Sequence, residues 1–363
     1  MGENISTIKL EDLGYSDFFE HNRRFVINSD LTPARIIAEH KELYLVRNEN
    51  FVFSAKITGK MMYQASSRED YPAVGDWVLI KVLSKDEAHI YEILPRKTVL
   101  KRKSANSSET QIIASNIDIA FVVQAPDRDY NLNRFERYFT LAKSGEIIPA
   151  IVLNKTDLIS DVDLETIVSE IKSRFKQIDV YTTSVVASIG IADLKKDIIK
   201  GFTYCFIGSS GVGKSSIINA LLGEDLIKTA EISCHANRGR HITAHRELFI
   251  LENGGLLIDN PGMREIGLLD SKEGIKGVFS DIYNLSEGCN FADCTHQHEP
   301  GCAVLEAVRN GTLDNEKHRN YIKLFKEDKR NSMSSLEKRE KDRKFGKFIK
   351  TAKKQFKKYK PDY

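Results

Sequence analysis

The chain has 363 residues, 41% of them hydrophobic and 29% charged, which is material for two or three folded units with real cores. No run of about 18 uncharged apolar residues occurs, which excludes a membrane-spanning helix, and the opening Met1-Gly2-Glu3-Asn4 lacks the basic and apolar regions of a secretory leader. The net charge of +3 conceals a polar distribution: residues 321–363 hold 16 Lys/Arg against 6 Asp/Glu, a net of +10, and leave −7 on residues 1–320. An acidic body with a basic tail suits an acidic partner.

Residues 1–32 read as an N-terminal extension whose aromatic cluster, Tyr15, Phe18 and Phe19, suits a docking helix. Over 33–103 the pattern is strand-like, with short runs at Ala34–Ile37, Leu43–Val46, Phe51–Ile57, Trp77–Val82 and His89–Ile93 separated by turn residues. Five short strands in so few residues predict a small barrel of the OB type, and an SH3-like barrel gives much the same pattern. The basic stretch Arg96-Lys97 and Lys101-Arg102-Lys103 leads into a polar linker over 104–110.

From 112 to 280 the texture becomes α/β. Ile117–Gln124, Pro149–Leu153, Asp179–Thr182, Thr203–Ile207, Leu248–Leu251 and Gly255–Ile258 read as buried parallel strands, with helical patterns at Asn133–Lys143, Asp163–Phe175, Ile191–Lys200 and Lys214–Leu222. Such alternation predicts a doubly wound sheet that binds ligands at the strand carboxyl ends. Residues 281–363 carry clustered Cys and His and then one or two basic helices, in which Phe345, Phe348, Ile349, Ala352, Phe356 and Tyr359 recur near helical spacing. That stripe packs either on the body of the protein or on a partner.

Gly208-Ser209-Ser210-Gly211-Val212-Gly213-Lys214-Ser215, followed by Ser216, is a complete GxxxxGKS between an apolar strand and a helix. The glycines let backbone N–H groups converge on phosphate oxygens, Lys214 neutralises the β- and γ-phosphates, and Ser215 is a Mg²⁺ ligand. Asp259-Asn260-Pro261-Gly262 ends a later strand, where an Asp holds Mg²⁺ and the Gly N–H reaches the γ-phosphate. Asn154-Lys155-Thr156-Asp157 also follows a strand. A carboxylate at Asp157 accepts from the N1–H and amino group of guanine, a donor pair adenine lacks, while Asn154 ties the loop and the Lys155 stem packs on the base. Ser184 ends the next strand and brings a backbone N–H toward guanine O6. Cys289-x4-Cys294-x-His296-x5-Cys302 supplies a closed Cys₃His set for one structural Zn²⁺, with His298 as the rival fourth ligand. Cys205 reads as core, and Cys234 lies outside the cluster.

The order of these elements is unusual. The base-reading loop precedes the P-loop and the Mg²⁺ Asp comes last, whereas an ordinary GTPase begins with the P-loop; circular permutation preserves a closed site when the old termini were close. In this order, and through Val152–Asp157, Gly208–Ser215, Gly239-Arg240-His241-Ile242-Thr243, Asp259–Gly262 and the cysteine block, the sequence resembles the circularly permuted GTPases, and among them the RsgA (YjeQ) family. The resemblance implies a multidomain α/β protein: an OB-like barrel at 33–103, a circularly permuted P-loop GTPase domain at 112–280 and a helical zinc-binding domain with basic tail at 281–363.

It further implies a cytoplasmic, monomeric enzyme that hydrolyses GTP to GDP with Mg²⁺, binds the small ribosomal subunit and its rRNA, and assists late maturation of that subunit. It selects His296 over His298, places Thr243 on Mg²⁺ and the γ-phosphate, and makes His241 with Lys214 the catalytic pair. Met263 stands where Ras-like enzymes carry the water-orienting Gln, so hydrolysis draws on another group or a partner. The alternative is a GTP-dependent RNA- or protein-binding switch whose hydrolysis is incidental. An ATPase is disfavoured by Asp157.

Overall fold

The computed structural model describes residues 8–25, 30–40, 43–103, 110–127, 130–223, 246–259, 268, 271–333 and 335–358. A short helix α1 (Asp17–Arg23) precedes five strands, β1 (Thr32–His40), β2 (Leu43–Arg47), β3 (Val52–Ile57), β4 (Trp77–Val82) and β5 (Glu87–Ile93), with helix α2 (Gly59–Gln64) between β3 and β4. The strand order β1-β2-β3-β5-β4 closes through a β1–β4 pairing. All neighbours are antiparallel except β3 and β5, and a parallel pair requires a crossover. The chain from α2 to β4 provides it, which is the Greek-key path of an OB barrel. Every second side chain points inward, and Ile36, Val46, Phe53, Ala55, Val78, Ile80 and Ile90 fill the barrel. The aromatic extension docks as expected: Phe19 and Tyr15 pack on Trp77, with the Tyr15 ring edge-on at 4.7 Å.

The basic stretch ends in a strand that the sequence did not announce. β6 (Val99–Lys103) and β7 (Thr110–Ser115) form an antiparallel hairpin sheet of their own. Lys101, Arg102 and Lys103 are charged in a row, which hides the two-residue period of a strand, and a register shift after Leu100 breaks the pattern further.

The second sheet contains β8 (Ile119–Gln124), β9 (Ile148–Asn154), β10 (Val180–Thr183), β11 (Thr203–Gly208), β12 (Arg246–Ile250) and β13 (Leu256–Asp259). Helices α3 (Leu132–Ser144), α4 (Asp161–Arg174), α5 (Ile191–Lys196) and α6 (Lys214–Leu222) connect them. The order is β10-β9-β8-β11-β13-β12. Pairings from β10 to β13 are parallel, and two apolar cores cover the two faces. The expectation of a parallel strand at Leu248–Leu251 is corrected: β12 runs antiparallel to β13. Only residues 251–255 separate them, closed by Leu251 N–H to the Gly255 carbonyl at 2.8 Å, and so short a link cannot make a crossover. β12 also pairs with β1, Ala38 opposite Glu247 and Glu39 opposite Arg246, so barrel and nucleotide sheet are one continuous surface.

Helices α7 (Lys272–Val278), α8 (Ser280–Ser286), α9 (Ala303–Arg309) and α10 (Asn315–Ser332) enclose a third core that includes Leu268, Ile275, Phe279, Ile282, Tyr321 and Leu324. α10 docks on α3 through a buried polar seam. Arg174 Nε donates to Glu136 at 2.9 Å, Asn320 donates to the same carboxylate at 2.5 Å, and Arg137 makes a two-pronged pair with Glu327 at 2.6 and 2.7 Å. Two residues of the tail stripe on α11 (Ser335–Lys358), Phe345 and Phe348, are 64% and 66% exposed.

Candidate functional site

The P-loop leaves the end of β11 and enters α6. Gly213 has φ +95°, and a Cβ there would lie 2.2 Å from Asn154 Nδ2. Its hydrogen therefore permits the Asn154–Asp157 loop to touch the P-loop. Asn154, 2% exposed, donates from Nδ2 to the Val212 carbonyl at 2.9 Å and accepts from Thr183 Oγ1 at 3.0 Å. One amide thus fastens the ends of β9 and β10 to the P-loop. Lys214 Nζ donates to the Gly208 and Ser209 carbonyls at 3.0 and 2.6 Å, so its ammonium lies across the loop. Ser215 and Ser216 occupy the first turn of α6.

On the base side, Lys155 adopts φ +63°, which swings the chain so that Thr156 Oγ1 donates to the Thr183 carbonyl at 3.2 Å. Ser184 Oγ donates to Asp157 Oδ1 and accepts from Ala187 N–H, which holds the exposed Asp157 carboxylate in place. Asp259 ends β13, directly beside the P-loop strand. The structure therefore brings Asn154, Lys155, Thr156, Asp157, Ser184, the Gly208–Ser216 loop and Asp259 to the carboxyl ends of adjacent strands. His241, Thr243 and Gly262, with Met263 and Cys234, lie outside the described residues.

Cys289, Cys294, His296 and Cys302 present ligand atoms that all lie within 4.8 Å of one another. The Cys289–Cys302 sulfur separation is 3.8 Å, and His296 Nδ1 stands 3.6 and 3.4 Å from those two sulfurs. Metal bonds of about 2.3 Å to sulfur and 2.0–2.1 Å to nitrogen in a tetrahedron require edges of ~3.8 and ~3.5 Å, so the donor set fits Zn²⁺ through Nδ1 of the imidazole. His298 is exposed and lies outside the cluster. Cys302 also caps α9, its Sγ accepting from Leu305 N–H at 3.4 Å. His318 Nε2 donates to the His296 carbonyl at 2.9 Å and steadies the ligand loop from α10. Cys205 is fully buried, its thiol pushed up to about 12 by desolvation, which keeps it an inert core residue.

The family model described as RsgA GTPase matches residues 93–269. The small ribosomal subunit biogenesis GTPase RsgA 1 of Bacteroides thetaiotaomicron is 40% identical over 316 residues, covering 86% of this chain and 88% of that protein. The chain belongs to the RsgA family of GTPases. RsgA 2 of Listeria monocytogenes is 39% identical over 318 residues, 88% of this chain and 89% of that protein. Among solved structures, YjeQ from Thermotoga maritima aligns with a TM-score of 0.62 and 25% identity, over 82% of this chain and 98% of that one. YloQ, described as a circularly permuted GTPase, aligns at 0.61 and 25% identity, over 85% and 98%.

Two contacts of this RsgA-family chain were invisible in the sequence. Arg134, in the first turn of α3, reaches the P-loop with Nη1 3.4 Å from Ser209 Oγ; a lone arginine on a helix gives no signal. The chain leaving the Asp259 segment is stapled to α10: Leu268 N–H meets Glu327 Oε1 at 3.4 Å, Asn331 donates to the Leu268 carbonyl at 2.7 Å, and Ser271 N–H donates to Asp328 at 2.7 Å. Leu268 itself is fully buried in the core beside the cysteine cluster.

Proposed function

We propose that this chain is a GTP-hydrolysing maturation factor of the small ribosomal subunit, with hydrolysis stimulated by that subunit. The observation that carries the guanine reading is the single amide of Asn154, which couples the Asp157 loop to the P-loop. The subunit enters through the relatives, whose names describe small ribosomal subunit biogenesis GTPases.

In this reading Asp157, fixed by Ser184, selects guanine, and the Ser184 backbone contacts O6. The N–H groups of residues 209–216 cradle the phosphates, and Lys214 turns from the P-loop carbonyls to the β- and γ-phosphates. Ser215, Thr243 and Asp259 would hold Mg²⁺, which would supply charge neutralisation at the phosphates. Gly262 contacts the γ-phosphate and His241 assists the attacking water. Zn²⁺ on Cys289, Cys294, His296 and Cys302 stiffens the ligand loop against α10.

The functional units are the barrel over 33–103, the nucleotide module over 112–280 and the zinc module with its basic tail over 281–363. Barrel and tail contact rRNA phosphates, the tail with a net +10 over 321–363. The factor acts as a cytoplasmic monomer, and among the described residues no helix is long and apolar enough to cross a membrane. The stapled Leu268 passes movement of the Asp259 segment to the zinc module. Co-sedimentation with purified small subunits tests the reading: binding should be stronger with a non-hydrolysable GTP analogue than with GDP. Equal recovery in both states would overturn it.

A further inference from the structure

Between the start of α3 and the exposed face of α10 lies an open cleft of about 410 Å³, lined by Asn133, Arg134, Arg137, Glu316, Arg319 and Lys323 among others. Four cationic side chains face one carboxylate there, and Arg137 is engaged by Glu327. This cationic pocket sits on a body whose first 320 residues carry a net −7, so it is a local concentration of charge against the overall trend. Its lining side chains end in charged or amide groups, Leu324 being the one apolar residue among them. Guanidinium forks, an ammonium and asparagine amides are the groups that recognise phosphate oxygens. A peptide groove would instead need apolar anchors.

We infer that this cleft seats a backbone phosphate of RNA in the small subunit, and that Arg134 relays its occupancy to the P-loop. The inference rests on the proposed subunit-dependent function. Arg134 is shared between the two sites: it lines the cleft and its Nη1 lies 3.4 Å from Ser209 Oγ. The carbonyl of the same Ser209 accepts from Lys214 at 2.6 Å. A phosphate in the cleft competes with the neutral Ser209 hydroxyl for the guanidinium, and the charged acceptor wins. Drawing Arg134 away removes a brace from Ser209 and lets Lys214 turn toward the nucleotide. Arg134 acts here as a positioning residue. Arg319 and Lys323, both exposed on α10, provide affinity only.

The test uses the full chain and purified small subunits, with GTP turnover measured against subunit concentration at several salt concentrations. Arg319→Ala with Lys323→Ala should leave turnover without subunits unchanged. It should raise the subunit concentration for half-stimulation about tenfold and make the salt slope shallower by roughly 1. Arg134→Met removes the same brace without a phosphate, so it should raise turnover in the absence of subunits and shrink the fold-stimulation that subunits add, with Arg134→Lys restoring part of the dependence and equal melting temperatures excluding misfolding. Unchanged half-stimulation and slope in the double variant would overturn the phosphate site. Unchanged subunit-free turnover together with unchanged fold-stimulation in Arg134→Met would overturn the relay. Weakened binding to intact subunits but not to their deproteinised rRNA would assign the cleft to an acidic protein and overturn the RNA assignment. Absence of stimulation in the unsubstituted chain would instead refute the proposed function itself.

Discussion

Replacing Asn154 by alanine removes a side chain that ties the Asn154–Asp157 loop to the P-loop and to β10. Two hydrogen bonds are lost, to the Val212 carbonyl at 2.9 Å and from Thr183 Oγ1 at 3.0 Å. Their partners stay behind in residues only 3% and 0% exposed. Each buried polar group left without a partner costs about 1–3 kcal/mol, so the nucleotide-free protein should lose roughly 2–6 kcal/mol, a large share of ordinary domain stability. If about 1.4 kcal/mol of that appears in the bound state, GDP affinity falls about tenfold. Urea titration with and without saturating GDP, beside a fluorescent-GDP titration, measures both quantities. Asn154→Asp sharpens the experiment. It keeps the acceptor for Thr183 but sets a carboxylate oxygen against the Val212 carbonyl, so it should be no more stable than the alanine variant. Stability within about 0.5 kcal/mol of the original chain in Asn154→Ala, with unchanged GDP affinity, would refute the bridge.

Asp157→Asn should weaken GTP binding and narrow the preference for GTP over ATP, read by competition between the two nucleotides; retained preference would move base selection elsewhere. Cys302→Ser should release metal and loosen the core around Tyr321 and Leu324, giving less than one Zn²⁺ per chain by elemental analysis and protease cleavage within 280–320. The Glu327 carboxyl is pulled up by partial burial, but the Arg137 pair and the Leu268 N–H hold it net below the usual carboxylate range. Its contribution to docking α10 is therefore full above that range and is lost as pH falls through the lowered value. Denaturation midpoints should drop on acidification below about pH 4 less steeply in Glu327→Gln than in the original chain, and parallel curves would remove Glu327 from the interface.

Much of the architecture was legible because burial imposes a period. The barrel strand at Val52–Ile57 and the central strand at Ile148–Asn154 announced themselves by alternation and by continuous apolarity respectively. The P-loop and the Asn154–Asp157 loop were legible because phosphate and guanine chemistry allow few residue types at fixed spacing. The direction of β12 was not, since an apolar run looks alike in either orientation, although the five-residue link to β13 carried the answer. The β6–β7 hairpin hid among lysines and arginines. The seam of Glu136, Arg174 and Asn320 joins positions 38 and 184 residues apart, and only the fold brings such charges together. The tail stripe at Phe345 and Phe348 had the spacing of a packed helix, yet both rings face solvent.

GTP turnover measured with and without purified small ribosomal subunits, under salt conditions where binding is verified, tests the central claim most directly. With Met263 in place of a water-orienting Gln, the chain alone should hydrolyse slowly. Bound subunits should raise the rate by at least about tenfold and saturably, as a partner-assisted GTPase requires. Equal rates with subunits bound and absent would contradict the account.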